Sequence, residues 1–365
     1  MTKRVNNISR RDFLKVSLLG ITSLAFRPWT HAQRFLLDEP SPTQKLGRNC
    51  VGGKISLHSK PSADSQALKM FYEDTVVVWL RSVVGEAPGG RISKRWVETP
   101  DGYLYEPGLQ PVYNRPNKPV LSMPTVGGEK GMWVEVTQPF AEIYQDKVAC
   151  SSWLQEVTRA RLYYSQVLWV DDVVTNSKGQ VLYRVNERYG NCGDVYWVAA
   201  EAFHPITEEE IAPINPTAEE KKIVVELNHQ TLSCYEGNNE VYFCRISSGA
   251  KFDAKGNAVD KWSTPIGSHL PWRKVISTHM SGGSTGNGWD TPGIAWTFLF
   301  DPDGAAIHST FWHNDFGVPR SHGCVNTSPD DSKWVWRWTL PHVGLNPGLQ
   351  DITGPGATIV NVIEA

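Results

Sequence analysis

Glycine and proline interrupt this chain so often that long helices have little room. The 365 residues include 31 Gly and 24 Pro, together with 15 Trp. Proline lacks a backbone donor, glycine favours turns, and aromatic side chains suit the half-buried face of a sheet. The sequence therefore predicts many short strands joined by turns, and a mostly β fold. After residue 220, only residues 329–338 have the clear pattern of a helix, with Ser328 as N-cap and two acids in the first turn.

Length, charge and composition exclude several classes of protein. At roughly 150 residues per domain, the chain has room for two or three domains, with a core that needs no disulfide support. The 36 Lys and Arg nearly balance the 38 Asp and Glu, so no positive excess indicates nucleic-acid binding. The 40% hydrophobic content argues against disorder, and no run of 18 apolar residues indicates a membrane span.

The first 32 residues have the order of an export signal. Arg10 and Arg11 are followed by Phe-Leu-Lys, a short apolar run over 16–26, and a small residue at Ala32. The segment resembles a twin-arginine signal peptide. We therefore expect residues 1–32 to direct the protein out of the cytoplasm, to a secreted, periplasmic or cell-wall location. An uncleaved membrane anchor is the alternative, although the apolar run is short for a span.

Two strand-rich segments precede the C-terminal part of the chain. Both have short β-branched or aromatic runs between turn residues, and the first contains a hairpin signal at Asp101-Gly102. Both resemble bacterial SH3-like modules, which are small β-barrels. The resemblance implies contact with the cell wall or a partner, and the equal alternative is a spacer that positions the next domain. After the signal we predict a linker, two SH3-like modules, an acidic linker and a third domain, over residues 33–45, 46–115, 131–206, 207–220 and 221–365.

The third domain contains a cysteine with two histidines near it in the sequence. His322 and Gly323 directly precede Cys324, and His308 ends a predicted strand upstream. Histidine can take a proton from a thiol because its pKa lies near neutrality. Gly323 allows a tight turn, in which the N–H groups of Gly323 and Cys324 could converge on one oxyanion. If the helix after Ser328 points its N-terminus at Cys324, its dipole would favour the thiolate.

These residues resemble the L,D-transpeptidases of bacterial cell walls, whose catalytic domain is called YkuD-like. The family pattern is a histidine with a small residue, a loop, and then Ser-His-Gly-Cys followed by Val or Leu and by Arg or Asn. The matching residues are His308-Ser309 and Ser321 to Asn326, with further similarity at Ser247-Ser248-Gly249, in a Thr-Pro turn over 263–267 and in a tryptophan-containing segment over 310–317. The resemblance covers residues 220–365 and implies a YkuD-like β-sandwich with a short helix after the cysteine.

The resemblance implies a cysteine acyl transfer between peptidoglycan stem peptides. The thiol would attack the carbonyl of the third residue of a stem tetrapeptide, a diamino acid, and D-alanine would leave. The side-chain amine of a neighbouring stem would then take the acyl group, giving a 3→3 cross-link without cofactor or metal. The roles that it implies are nucleophile for Cys324, general base for His308, orientation of that histidine by the backbone carbonyl of Ser309, oxyanion hole for His322 and Gly323, and substrate contact for Asn326, Ser321 and Trp312.

Three other functions stay open from the residues alone. Water could take the thioester instead of an amine, which would make the protein an L,D-carboxypeptidase or hydrolase, because pocket shape and water exclusion choose the acceptor. The protein could also bind the cell wall with an idle site. A zinc site is the third alternative, with ligands from His308, His313, His322 and Cys324. Its spacing is not that of a zinc finger, and no His-Glu-x-x-His signature is present.

The remaining five cysteines suggest two disulfides. Cys234 and Cys244 flank a predicted turn, where a cross-strand disulfide is plausible, and Cys150 and Cys192 both lie in the second module. Cys50 has no obvious partner. Connectivity does not follow from spacing, but with the nucleophile kept as a thiol, at least one other cysteine must be unpaired. The oligomeric state is not predicted.

Overall fold

The structure of the protein is a computed structural model that describes residues 41–155, 160–253, 256–282 and 289–364. The predicted export signal, and residues 33–40 of the first predicted linker, lie outside these residues. In the described part the chain is mostly β, as predicted, and residues 42–365 group into one compact unit. No helix in this part is both long enough and apolar enough to cross a membrane.

The first β region, residues 46–112, contains two small antiparallel sheets. Its strands are β1 (Leu46–Asn49), β2 (Ile55–His58), β3 (Ala67–Phe71), β4 (Val76–Val78), β5 (Arg81–Val84), β6 (Arg95–Thr99), β7 (Gly102–Tyr105) and β8 (Leu109–Val112). One sheet has the order β4-β1-β8 and the other β3-β2-β7-β6-β5. The predicted hairpin joins β6 to β7, with Thr99 opposite Gly102. The buried core of this region consists of Leu57, Trp79, Val97, Leu104 and Leu109.

The second β region, residues 125–205, is built on one seven-stranded antiparallel sheet of order β13-β12-β16-β15-β14-β11-β17. Its elements are the hairpin β9 (Thr125–Val126) and β10 (Glu129–Lys130), the helix α1 (Ser152–Gln155), and β11 (Met132–Val136), β12 (Phe140–Tyr144), β13 (Arg161–Tyr163), β14 (Val167–Thr175), β15 (Val181–Asn186), β16 (Val195–Ala199) and β17 (Phe203–Pro205). Successive residues of β14 point into different cores. Leu168 packs into the core of this region, and Trp169 packs into a core shared with the C-terminal part.

The third β region, residues 221–363, has two five-stranded sheets and a helix. The first sheet has the order β20-β19-β18-β27-β21 and the second β25-β24-β23-β22-β26. The elements are β18 (Lys221–Glu226), β19 (Thr231–Glu236), β20 (Asn239–Arg245), β21 (Gly267–His269), β22 (Arg273–Gly282), β23 (Trp289–Leu299), β24 (Ala306–Ser309), β25 (Val325–Thr327), α2 (Pro329–Trp338), β26 (Leu349–Asp351) and β27 (Ile359–Ile363). Side chains from both sheets and from α2, such as Val225, Ile307 and Val335, form one core.

The second and third β regions share a tryptophan-rich core. Trp133 donates its indole N–H to the carbonyl of Leu345 over 2.9 Å, and Trp296 packs edge-on against Trp336 with ring centroids 5.3 Å apart. This shared core, which we call the junction core, also contains Val167, Trp169, Ile206, Ile211, Ile276, Ala295 and Val343. Burial of aromatic faces on both sides fixes the second region against the third.

Buried lysines close the C-terminal end of α2. Lys221 Nζ donates to the carbonyl of Trp338 over 2.8 Å, and Lys274 Nζ donates to the carbonyl of Thr339 over 2.7 Å. The last carbonyls of a helix lack partners within it, and cations are favourable at that end. Burial holds the pKa of both lysines below the usual range, and that of Lys274 well below it.

The structure joins one of the two predicted cysteine pairs. Cys150 and Cys192 form a disulfide within the second β region. The predicted bond between Cys234 and Cys244 is absent, and both are buried free thiols. Tyr242 lies opposite Cys234 and Leu232 lies opposite Cys244, so the two cysteines are diagonal rather than paired across the hairpin. Cys50 is also a buried free thiol.

Candidate active site

The candidate site is built on two parallel neighbouring strands, β24 and β25. Their register sets His308 beside Asn326 and Ile307 beside Val325. Ile307 and Val325 point into the core of the third region. Because side chains alternate along a strand, His308 and Asn326 occupy the opposite face, and so does Cys324 if the alternation continues one residue before β25. The fold thus brings the predicted base next to the strand that directly follows the predicted nucleophile.

His308 is held in one tautomer by its own backbone neighbour. Its Nδ1 lies 2.9 Å from the carbonyl oxygen of Ser309, which can only accept. Nδ1 therefore carries the proton, and Nε2 is the unprotonated nitrogen that can take one. The side chain is buried, and burial lowers the pKa of His308 to about 4, although the bond to Ser309 opposes the shift. The ring is neutral at physiological pH.

Cys324 is partly buried, and its thiol is protonated at rest. Burial raises the pKa of Cys324 to about 11. The sequence analysis made a thiolate conditional on the direction of the following helix, and burial of the sulfur acts in the opposite direction. At the N-terminus of α2, the N-cap Ser328 accepts the N–H of Asp331. The pair therefore starts as neutral thiol and neutral imidazole.

Ser321 closes the turn that leads into the cysteine. Its hydroxyl donates to the carbonyl of Cys324 over 2.5 Å and accepts the N–H of Gly323 over 3.1 Å. Gly323 has φ +118°, a left-handed conformation that a side chain would disfavour. In the resting structure the Gly323 N–H is thus already engaged, so its predicted part in an oxyanion hole requires Ser321 to release it.

The segment Ser247-Ser248-Gly249 holds this turn from the other side. Ser247 exchanges both backbone hydrogen bonds with Asn326, each 2.9 Å long, and the carbonyl of Ser248 accepts the N–H of Ser321. Gly249 leaves no room for a side chain, because a Cβ there would lie 1.9 Å from the carbonyl oxygen of Trp262. These contacts fix the backbone on both sides of Cys324.

His322 lies between two tryptophans. Its ring stacks on Trp289 with centroids 4.5 Å apart and meets Trp262 edge-on at 4.6 Å. Burial of the ring, and the nearby charge of Lys261, lower the pKa of His322. His322 therefore belongs to the turn between Ser321 and Cys324, and the two tryptophans enclose its ring. The two tryptophans were not identified from the sequence, because they lie far from the cysteine along the chain.

The segment after β24 lines the same face. The ring of Trp312, a predicted substrate contact, lies 5.9 Å from that of His308. His313 is buried, and its Nε2 lies 3.0 Å from the side-chain amide nitrogen of Asn326. Burial lowers the pKa of His313 to about 3, with smaller contributions from Arg320 and His308. The sequence favours His313 as a residue of the site rim or of a loop rather than as a metal ligand, and the structure places it beside Asn326.

The zinc alternative names donors that the structure uses otherwise. His308 Nδ1 is bonded to Ser309, and His313 contacts Asp315 and Asn326. In the described ranges, the donor atoms close enough together to share an ion belong to Cys150, Cys192 and Asp194. There the two sulfurs are already joined to each other.

A comparison with protein families matches residues 220–362 to YkuD, the L,D-transpeptidase catalytic domain. No curated protein matches the chain. Among solved structures, a mutant of the Enterococcus faecium L,D-transpeptidase is 23% identical, with 40% of this chain and 50% of that chain covered and a TM-score of 0.30. The L,D-transpeptidase of Mycobacterium smegmatis is 16% identical, with 63% and 99% covered and a TM-score of 0.31. The chain spans about half the length of the Enterococcus faecium enzyme. Residues 220–362 thus match the YkuD-like L,D-transpeptidase catalytic domain.

Proposed function

We propose that the protein is a peptidoglycan L,D-transpeptidase that forms 3→3 cross-links through an acyl-enzyme on Cys324. The observation that carries this proposal is the register of β24 and β25, which sets His308 beside Asn326, two residues after Cys324. The bond from His308 Nδ1 to Ser309 supports it, because it leaves Nε2 as the proton acceptor. The family match supports the substrate class, the stem peptides of peptidoglycan.

The neutral starting state sets the order of proton transfers. The Cys324 sulfur attacks the carbonyl carbon of the third stem residue while its proton passes to His308 Nε2. The tetrahedral oxyanion collapses, the C–N bond to D-alanine breaks, and His308 returns the proton to the leaving amine. The side-chain amine of a second stem then attacks the thioester, a proton passes through His308 back to sulfur, and the new amide replaces the old one.

The predicted substrate contacts surround this centre. Trp312 presents its ring beside His308, and Asn326 lies in register with it. Ser321 holds the turn and would release the Gly323 N–H as the oxyanion develops. In this proposal the exchange of one amide for another through a thioester needs neither a nucleotide nor a metal.

Mass spectrometry of the purified protein with a disaccharide tetrapeptide tests the nucleophile. We expect an adduct lighter by one alanine than simple addition, and none with Cys324→Ala. Cys50→Ala is the matched control, because it removes another buried free thiol and should leave the adduct intact. An adduct that persists in Cys324→Ala would exclude this nucleophile.

Product analysis separates transfer from hydrolysis. Incubation with tetrapeptide stems as donor and acceptor should give 3→3 dimers and free D-alanine. Release of tripeptide without dimers would instead assign an L,D-carboxypeptidase. Wall material that is bound but unchanged by the wild-type protein would favour the non-catalytic wall-binding alternative.

We also propose that the protein works outside the cytoplasm, after export through its twin-arginine segment, and that the two N-terminal β regions contact the cell wall as SH3-like modules. Mass analysis of the mature N-terminus would test cleavage near Ala32. Pull-down with purified wall sacculi would test wall contact, with Cys324→Ala included to exclude retention through the acyl-enzyme.

A further inference from the structure

The first β region holds the segment that carries Trp312 and His313. One of the residues that hold it, Arg48, lies more than 260 residues earlier in the chain. Arg48 donates from one guanidinium nitrogen to the carbonyl of Phe311 over 2.9 Å. That oxygen belongs to the peptide group joining Phe311 to Trp312, so the hydrogen bond fixes the orientation of the peptide plane that precedes Trp312. Arg48 is itself only 3% exposed, although it lies on a strand.

The other end of the two-residue segment is held by the same region. The N–H of Asn314 donates to the carbonyl of Pro107 over 3.1 Å, and Arg95 donates to the carbonyl of Asn314 over 3.2 Å. Trp312 and His313 are therefore bracketed by peptide groups that the first β region binds. Both bracketed side chains contact the candidate site, one beside His308 and the other at Asn326.

The guanidinium of Arg48 is fixed by a network that joins all three regions. It pairs with Asp74 over 2.7 Å and donates twice to the side-chain oxygen of Gln110. Its plane lies over the ring of Tyr163, at 4.0 Å, and that ring stacks on Phe311. Buried charges are costly unless they are paired and their donors used, and here the planar fork of arginine serves a carboxylate, an amide and a peptide oxygen together.

Asp74 is shared with a second arginine that does not touch the segment. Nη1 of Arg161 lies 2.7 Å from the other carboxylate oxygen of Asp74, and the same guanidinium also pairs with Glu142. Asp74 has φ +62°, a left-handed conformation that Asp adopts more readily than most residues. Arg161 therefore shares the ion-pair network with Arg48 but makes no bond to Phe311. A substitution at Arg161 perturbs the ion pairs and leaves the hydrogen bond to Phe311 in place.

We propose that the first β region is a built-in part of the catalytic site, with Arg48 as the positioning residue that sets the Phe311–Trp312 peptide for binding of the stem peptide. Arg95 is the second positioning residue, at Asn314. The proposal rests on the proposed function for its substrate. It assigns to this region a structural role in catalysis that is independent of any contact with the cell wall.

The kinetic test compares Arg48→Lys with Arg161→Lys. Lysine keeps the charge beside Asp74 in both variants, but its single ammonium cannot reproduce the fork that reaches Gln110 and Phe311. We expect Arg48→Lys to lower kcat/KM for stem tetrapeptide by roughly 10-fold, since the buried hydrogen bond to Phe311 is lost and the substrate contact is displaced. Arg161→Lys should stay within about twofold of wild type. Alkylation of Cys324 by iodoacetamide, which needs no positioned substrate, should be unchanged in both.

Hydrogen–deuterium exchange provides a readout that does not depend on activity. Peptides covering 310–316 should exchange faster in Arg48→Lys and at the wild-type rate in Arg161→Lys. Equal kinetics and equal exchange in the two variants would overturn the proposal. If Arg48→Lys does not fold, Arg95→Gln decides with the same two measurements, because it frees the carbonyl of Asn314. If the wild type shows no activity on stem peptides, the exchange result still decides the positioning, and only the proposed function fails.

Discussion

The side chains of His313 and Asn326 are in contact, and the hydrogen bonds of His313 determine which of its ring nitrogens carries the proton. His313 Nε2 lies 3.0 Å from the side-chain amide of Asn326, and His313 Nδ1 accepts the backbone N–H of Asp315 over 3.2 Å. Asp315 is itself fixed, because the hydroxyl of Ser247 donates to its carbonyl and Arg320 pairs with the Asp315 carboxylate. A neutral imidazole carries one proton, so an accepting Nδ1 requires Nε2–H. Nε2–H must then meet the amide oxygen of Asn326, which a half-turn of the amide supplies.

We therefore expect His313 to be a neutral Nε2–H tautomer, with the Asn326 NH₂ group directed away from it. Because burial lowers the pKa of His313 to about 3, the ring should not titrate from about pH 5 to about pH 8. Long-range proton–nitrogen NMR of ¹⁵N-histidine protein measures the tautomer, and His313→Gln identifies its signals. An Nδ1–H ring, or an imidazolium near neutral pH, would contradict the assignment.

The alkylation rate of Cys324 should rise with pH without a plateau at neutral pH. Burial raises the pKa of Cys324 to about 11, and burial lowers the pKa of His308 to about 4. No stable thiolate–imidazolium pair forms between these values, so the thiolate fraction grows up to about pH 11. Iodoacetamide labelling of peptide 321–326, followed by mass spectrometry, gives the profile. A plateau beginning near pH 6 would indicate an ion pair instead.

Gly249 and Gly323 should fail for different reasons when they are replaced by alanine. At Gly249 the Cβ would lie 1.9 Å from a backbone oxygen, so Gly249→Ala must move the segment and should cost about 2–4 kcal/mol of unfolding free energy. At Gly323 the nearest atom would lie 3.7 Å from the added Cβ, so there is room for it. The cost there comes from the φ of +118°, which a side chain disfavours by about 1–2 kcal/mol.

Thermal and denaturant unfolding measure both glycine variants. Gly323→Ala should remain folded and still lose acylation, because the strain is at the turn before Cys324. If Gly249→Ala were the less destabilised of the two, the steric account of that position would be wrong.

His279 should stabilise the contact between the second and third β regions most strongly while it is protonated. Its Nδ1 lies 3.0 Å from Glu187 and its Nε2 2.5 Å from Asp290. Burial disfavours the charge on His279, but the two carboxylates outweigh it and raise its pKa. Tyr196, which donates to Glu187, and Asp194 are the other titratable groups nearby. The stabilisation is complete below the unfolded value of about 6.5 and is lost as the pH rises through the higher folded value.

Unfolding of wild type and His279→Gln at several pH values tests this contact. The difference in unfolding free energy should be about 1–3 kcal/mol at about pH 6 and should shrink by about pH 9. Lys178→Gln is the control, because it removes a positive charge at an exposed position. A difference that is constant across this range would show that the ring acts by packing alone.

Local patterns predicted the features that depend on neighbouring residues. The helix over Pro329–Trp338 and its N-cap Ser328 follow from local capping chemistry, and the structure has both. The Cys150–Cys192 bond joins two cysteines of one region. The predicted pairing of Cys234 with Cys244 was wrong because the two lie at unequal distances from the turn. Glu236 pairs with Asn239, and Cys234 lies two residues before Glu236, whereas Cys244 lies five residues after Asn239.

Long-range contacts escaped the sequence analysis for a physical reason. Arg48 looks like any exposed strand residue until Asp74, Gln110 and Phe311 are brought around it. In the same way, the tryptophans that enclose His322 come from separate parts of the chain. Whether the first two β regions are SH3-like modules stays a prediction.

The junction core limits how this chain can be divided and how it can change. Trp133 and Trp169 lie in one predicted module, and Trp296 and Trp336 in the predicted catalytic domain, yet they bury one another's faces. A fragment beginning near residue 221 would therefore expose an aromatic surface to water and would tend to self-associate. Substitutions that accumulate on one side of this core would have to be matched by changes on the other, so the two parts are expected to be inherited as a single evolutionary unit.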